Sequence, residues 1–365
     1  MQNVRDWTEA DIKRSKAVVT LRIGVPTIGG ELLESVLESR QPLLLSAGAM
    51  WDNKRRQFRL PSDSLIGSDV ALDSAGFVAM KLYGGYPWSV SQYVEDCVLT
   101  RFRDRSAPGN PVTAPYFPWA WWSQMDLCCE PEIAANRQMV RARVQGTASL
   151  LQECRDVCHY YWEEEGWNHD WLPYPMPILQ GWESSDYELS ADLLDKVVKG
   201  RWPDLVGLGS VCRRNVQGAN GVLQLLRHLD RILPSNSKLH LFGVKGTALS
   251  AISTYFPDRV ASVDSMAWEF AARVEARKAG RRKTIDYRLD HLETWMGRNL
   301  DRSAPHQQVL HFSNQETDIA VILNGLYQSM PDRLLYHIEK TGMDARIGDI
   351  LYELFPAYKS REGTR

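Results

Sequence analysis

The sequence predicts an α/β protein: a (β/α)8 TIM barrel with an N-terminal cap and a helical C-terminal extension. Three observations carry that expectation. Short apolar runs alternate with longer stretches of helical periodicity, and strand-then-helix alternation implies a parallel sheet. Eight such runs can be read along the chain. A length of 365 residues suits one closed barrel with additions better than several domains. A doubly wound open sheet is the alternative architecture.

The strand segments are 42–46, 70–73, 116–126, 172–179, 205–209, 239–243, 261–264 and 308–312. Segments 116–126 and 172–179 are interrupted by prolines, which lack the N–H that a strand ladder needs, so they predict the weakest strands. Helical patterns occupy 91–105, 132–164, 187–198, 222–232, 268–279 and 318–329. Residues 1–40 read as a segment capping the barrel, 41–345 as the barrel, and 346–365 as a tail whose last residues are polar.

Composition narrows the function classes. With 44% hydrophobic and 24% charged residues this is an ordinary globular chain, and a net charge of −2 gives no global case for nucleic acid, only for local patches. The six cysteines all precede residue 213 without a disulfide-framework spacing, which suits reduced thiols. The first residues lack an apolar signal core and no apolar run approaches a membrane span, so the expectation is a cytoplasmic protein with no membrane partner.

Chemistry is expected where acids close strands, because barrel enzymes keep their reacting groups at the C-terminal strand ends. Asp73 ends the run before Ser74-Ala75-Gly76-Phe77, where small residues leave room for a ligand and Phe77 offers a flat face. Asp264 ends a second run, in Ser262-Val263-Asp264-Ser265. Either acid could instead cap the next helix. As a pair they suit a double displacement at a glycosidic carbon, one attacking while the other moves a proton. Further strand ends carry Asp126, Gln180 and the turn Gly207-Leu208-Gly209-Ser210. An acid, a carboxamide and bare backbone amides match the donor and acceptor pattern of a guanine edge.

These segments, in this order, resemble the tRNA-guanine transglycosylase superfamily over roughly residues 43 to 275. Leu72-Asp73-Ser74-Ala75-Gly76-Phe77 is similar to that family's Asp-Ser-Gly-Gly-Phe motif. Met125-Asp126-Leu127-Cys128, Leu179-Gln180-Gly181, Val206-Gly207-Leu208-Gly209, Phe242-Gly243-Val244 and Val263-Asp264-Ser265 follow in the family's order. The variants look closest to the DNA-modifying, DpdA-type branch of phages and bacterial genomic islands, which exchange guanine in DNA for a 7-deazaguanine. The resemblance implies Asp264 as nucleophile and Asp73 as general acid/base. It implies Phe77 stacking on the base, with Ser74, Asp126, Cys128, Gln180 and the Gly207, Leu208 and Gly209 backbone lining its pocket. It also implies DNA and a free 7-deazaguanine base as substrates, released guanine as product, and no cofactor. A homodimer or partner modification proteins are further expectations.

Two departures bear on the substrate. The RNA-acting enzymes hold zinc with three cysteines and a histidine after the nucleophile strand, and here no cysteine follows Cys212, so no metal site of that kind can form. Ala267-Trp268-Glu269 also stands where those enzymes carry Pro-Thr-Arg. Cys154, Cys158 and His159, one helical turn apart, form a weaker metal candidate. For phosphate contact the candidates are Arg213 and Arg214, and Lys54, Arg55 and Arg56, since both groups follow strand ends. The alternatives are a zinc-independent tRNA-guanine transglycosylase, a metal-free glycosidase acting on nucleosides, and a catalytically silent nucleic-acid-binding partner subunit.

Overall fold

Strand parity organises the molecule: alternate residues of each strand are apolar and face outward to the helices, leaving the others to an enclosed interior. The structure is a computed structural model and describes residues 19–303 apart from 66, 100–118, 168, 170, 171 and 219. The chain divides into two compact units, Met1–Val216 with Asn220–His306, and Gln217–Ala219 with Gln307–Arg365. All that follows concerns the first.

Seven parallel strands form its main sheet: Thr20–Val25 (β1), Leu43–Ser46 (β2), Val70–Asp73 (β5), Ile178–Leu179 (β6), Leu205–Leu208 (β7), Lys238–Leu241 (β8) and Val260–Ser265 (β9). A small hairpin, Trp51–Asp52 (β3) and Gln57–Phe58 (β4), follows β2. The strand order is β5-β2-β1-β9-β8-β7-β6. Its two edges are joined through the segment around Trp122. Leu72 N–H donates to Trp121 O (3.0 Å) and Ser123 N–H to Leu72 O (2.9 Å) on the β5 side. On the β6 side Met176 N–H donates to Trp122 O (2.8 Å) and Gln124 N–H to Met176 O (3.1 Å). The bridges are parallel, so this segment acts as an eighth strand and the sheet closes into a (β/α)8 barrel.

One expectation needs correction. Within the segment read as a cap, β1 and the helix Glu31–Glu38 form the first strand–helix unit of the barrel, and β1 lies mid-sheet between β2 and β9. The run Leu21-Arg22-Ile23-Gly24 is broken by an arginine and a glycine. Arg22 is nonetheless buried, its Nη1 donating to Asp69 Oδ1 (2.8 Å) and Leu43 O (3.2 Å). A buried arginine satisfied by distant partners leaves no apolar signal in its own segment. The strand expected at 308–312, the helix at 318–329 and the tail lie outside the described residues.

The outward layer is two large apolar clusters. Ile23, Leu43, Leu45 and Leu72 pack with Tyr93, Trp122 and Trp268 in one. Leu208, Leu239, Leu241 and Val263 pack in the other against Leu223, Leu226 and Leu229 of the helix Val222–Ile232. Leu43 and Leu45 point out, so Ser46 falls on the inner face; by the same parity Asp73, His240, Ser262 and Asp264 do too. Polar residues are thereby gathered inside the barrel.

Trp268 anchors the helix Ala267–Lys278 to the sheet: it is fully buried and its Nε1 donates to Gly24 O at 3.1 Å. Trp268→Ala removes that bond and opens a cavity beside β1. We expect a loss of about 3–5 kcal/mol, read as a lower urea midpoint with an unchanged denaturant slope.

Candidate active site

Asp73 closes β5, partly exposed at the C-terminal end of the barrel. Ser46, its register partner on β2, hydrogen-bonds its carboxylate, and Ala75 N–H donates to Oδ2 at 3.1 Å. That turn needs Ala75 in the left-handed region, at φ 69°. Gly76 must follow, because a Cβ there would lie 2.6 Å from Asp126 Oδ1. Asp264 lies one residue before the end of β9, buried, and its Oδ1 accepts Gly243 N–H at 2.8 Å.

Asp126 follows the bridging segment and anchors a buried hydrogen-bond chain. Ser74 Oγ donates to its Oδ1 (2.9 Å) and Gln180 Nε2 donates to its Oδ2. Tyr86 Oη accepts Asp126 N–H at 3.0 Å and donates to Asp126 O, also at 3.0 Å. Gln180 Oε1 accepts from Ser210 Oγ at 2.6 Å, while that oxygen accepts Cys129 N–H at 2.7 Å and lies 3.1 Å from Glu130 Oε2. Both ends of Gln180 are thus fixed by partners that are themselves held.

The electrostatics follow from burial and crowding. Burial raises Asp73 to about 7, reinforced by the charges of Asp126 and Asp264, with the Ala75 N–H and Ser46 hydrogen bonds opposing. Asp126 is raised to about 6 by burial, with the Ser74 and Gln180 hydrogen bonds opposing and the charge of Glu130 adding to the rise. Burial also raises Glu130. A carboxyl raised toward neutrality in this way suits a group that gives a proton and takes one.

Not every residue expected at the site faces it. Ser74 is fully buried and its hydroxyl serves Asp126 and Tyr86, so it positions the acid. Phe77 is partly buried beside Ala79, Met80 and Cys128, and the Arg213 guanidinium lies 5.3 Å from its ring centroid. Cys128 is buried, and burial drives its thiol far above the usual range, so it stays protonated.

The expected backbone donors are a correction. Gly207 N–H donates to Pro177 O (2.8 Å) and Gly209 N–H to Leu179 O (3.0 Å), so ladder bonds to β6 consume both amides. Leu208 lies in the apolar core. The two glycines serve space instead: a Cβ on Gly207 would meet Phe242 at 2.8 Å, and one on Gly209 would meet Gln180 Nε2 at 2.1 Å.

The adjacent arginines have opposite fates. Arg214 is buried, and its guanidinium donates to Ser210 O (2.8 Å), Asn220 O (2.9 Å), Trp182 O (2.6 Å) and Tyr187 Oη (3.2 Å). Those bonds make it the clamp of the loop after β7, which corrects its expected phosphate role. Arg213 is half exposed and pairs with Glu132 at 2.7 Å. Lys54, Arg55 and Arg56 are exposed on the β3–β4 turn, with Arg56 Nη2 donating to Pro87 O at 3.1 Å. Cys154 and Cys158 are fully buried in the core, while His159 bonds the Tyr174 hydroxyl at 2.8 Å. Among the described residues no group of three His, Cys, Asp or Glu side chains is placed to hold a metal ion.

Sequence reasoning missed Tyr86, Glu130 and His240, and it named Ser210 only as part of a turn, without its hydroxyl's link to Gln180. His240 had a signal: it lies between Leu239 and Leu241, so parity sets it on the face opposite the leucines.

Fold and site together define a closed α/β barrel with three carboxylates at the C-terminal end of its strands. The model of the family described as DpdA, DeoxyPurine in DNA protein A, matches residues 40–298, more than half of the chain, and the chain belongs to that family. Membership gives it a role in DNA modification. No curated protein sequence matches. Among solved structures, the YdjI aldolase from Escherichia coli K12 is similar at 13% identity and a TM-score of 0.36, covering 82% of this chain and 95% of that one. At that score the likeness adds nothing to the strand pairings above.

A carboxyl raised on folding costs stability as pH climbs from its unfolded value, 3.8, through its folded one, about 7 for Asp73. Asp73→Asn escapes that cost. Urea midpoints of variant and wild type should converge near pH 4, and at pH 8 the variant should be more stable by roughly 1–3 kcal/mol. Equal midpoints at both pH values would refute the raised pKa.

Proposed function

We propose that this protein exchanges guanine in DNA for a free 7-deazaguanine base, such as 7-cyano-7-deazaguanine or a derivative, through a covalent deoxyribosyl-aspartate. One observation carries the reading. Two carboxylates from β5 and β9 share the barrel mouth, and the one at Asp73 is raised to about 7 by burial and, secondarily, by the charges of Asp126 and Asp264.

Asp264 attacks C1′ of the target deoxyribose, and the C1′–N9 bond breaks with its electron pair passing to guanine. Asp73 supplies the proton that guanine takes as it leaves. The incoming base then returns a proton to Asp73 from its own N9, and that nitrogen attacks C1′. The ester bond to Asp264 breaks and the carboxylate is restored. Two inversions give net retention. Protons and electrons balance over the cycle, so no redox group or nucleotide energy source is required.

Asp126 has unused lone pairs for the N1–H and exocyclic amine of a guanine-type base, and Gln180 keeps a second amide hydrogen for a base acceptor. Phe77, partly buried against Cys128 and near the Arg213 guanidinium, offers the stacking face. In duplex DNA the glycosidic carbon is hidden within the stack, so the target nucleotide must rotate out to meet Asp264. Arg213, half exposed though paired with Glu132, and the exposed Lys54–Arg56 turn are the candidates to hold flanking phosphates, while Arg214 is enclosed by its own hydrogen bonds.

Two experiments test the reading. Wild-type protein mixed with guanine-containing DNA and denatured should give a protein–DNA adduct on a gel, and Asp264→Ala should give none; an adduct that persists in the variant contradicts the assignment. In DNA-binding titrations over salt, Arg213→Ala should lower the slope of log K against log salt by about 1. Arg214→Ala should leave the slope unchanged and instead lower the unfolding midpoint.

A further inference from the structure

Within the barrel, beside the proposed nucleophile, lies a histidine that the mechanism above does not use. His240 is fully buried in mid-β8 and sits opposite Ser262 in the register. Its Nδ1 is 2.8 Å from Ser262 Oγ. Its Nε2 is buried without a hydrogen-bond partner, and the atom it approaches is Asp264 Oδ1, at 3.4 Å. Trp121 and Phe242 enclose the ring, with centroids 4.7 and 4.6 Å away.

The groups facing it decide its state. Burial is the main force lowering its pKa and the charge of Arg22 on β1 adds to it, while Asp264 on β9 opposes. Ser262, Trp121 and Phe242 bring no charge. The imidazole is therefore neutral at pH 7 and carries one N–H. A carboxylate oxygen only accepts, so the tautomer that avoids opposing lone pairs carries its hydrogen on Nε2 toward Asp264 and takes the Ser262 hydroxyl at Nδ1. Gly243 N–H reaches the same oxygen, Oδ1, at 2.8 Å. The backbone donor and the unpartnered ring nitrogen thus approach the same carboxylate oxygen, Oδ1, rather than Oδ2.

We propose that His240, as its Nε2–H tautomer, is a positioning residue that fixes Oδ1 of Asp264 together with Gly243 N–H and aims Oδ2 at the sugar carbon. This rests on the base-exchange reading and deepens it. As the Oδ2–C1′ bond forms, the C1′–N9 bond breaks with its electron pair going to guanine. When the incoming base reverses this, the pair from the ester bond returns to the carboxylate, and Oδ1 shares the restored charge under its two donors. The Nε2 proton never leaves His240. A residue that merely filled space between Leu239 and Leu241 would need no ring nitrogen turned toward a carboxylate.

The test compares His240→Phe, which keeps the ring contacts without the donor, with His240→Gln, which restores an N–H. Single-turnover adduct formation should slow by about 10–100-fold in His240→Phe, with KM for DNA and free base within about twofold of wild type. His240→Gln should recover most of the loss. Independently of activity, ¹⁵N NMR of the wild-type imidazole at pH 7.5 should show the neutral Nε2–H tautomer. Adduct formation in His240→Phe within about twofold of wild type, or an Nδ1–H or doubly protonated ring, would overturn the proposal. If His240→Phe fails to fold, the NMR measurement decides. A wild-type protein that forms no adduct would sink the base-exchange reading, and the tautomer would still settle the geometry at Asp264.

Discussion

Three carboxyl groups, Asp73, Asp126 and Asp264, share one small mouth, and charge on one makes charge on the next more costly. Burial is the main force that holds Asp73 near 7 and Asp126 near 6; the charges of Asp126 and Asp264 add to it at Asp73, and that of Glu130 adds to it at Asp126. The arrangement persists because each acid is tethered: Asp73 by Ser46 and Ala75 N–H, Asp126 by Ser74 and Gln180, Asp264 by Gly243 N–H. Unpaired, such groups would be among the costliest items in a barrel interior. The tethers leave part of each carboxylate's capacity unused, and that remainder is what a ligand can engage.

The surrounding fold serves that cluster. Outward residues of each strand build the apolar shell against the helices, which frees the inward positions to be polar. Glycines are placed where side chains cross: Gly76 beside Asp126 and Gly209 beside Gln180. Arg214 then ties the loop after β7 to the loop after β6, so that Ser210 stays aligned with Gln180. Much of what surrounds the site is therefore scaffolding rather than contact surface.

The barrel was legible from the alternation of apolar runs, and seven of those runs match ladder segments of the described sheet. β1 was not, because Arg22 and Gly24 interrupt it and the partners that make Arg22 tolerable, Asp69 and Leu43, come from distant parts of the sequence. Asp73, Asp126, Gln180 and Asp264 could be found because each closes an apolar run. Their neighbours could not be sorted this way. Gly207 and Gly209 look like free donors until the ladder to β6 is known, and Arg213 and Arg214 are equivalent as letters while one is exposed and the other enclosed. Local sequence marks where chemistry can sit; three-dimensional neighbours decide which hydrogen bonds are already spent.

The account is tested most directly by nucleoside mass spectrometry of guanine-containing DNA incubated with the purified protein and a free 7-deazaguanine base. It predicts the deazaguanine deoxynucleoside in place of deoxyguanosine, with guanine released in equal amount and no abasic sites. Exchange confined to tRNA, or abasic sites without incorporation, would contradict it.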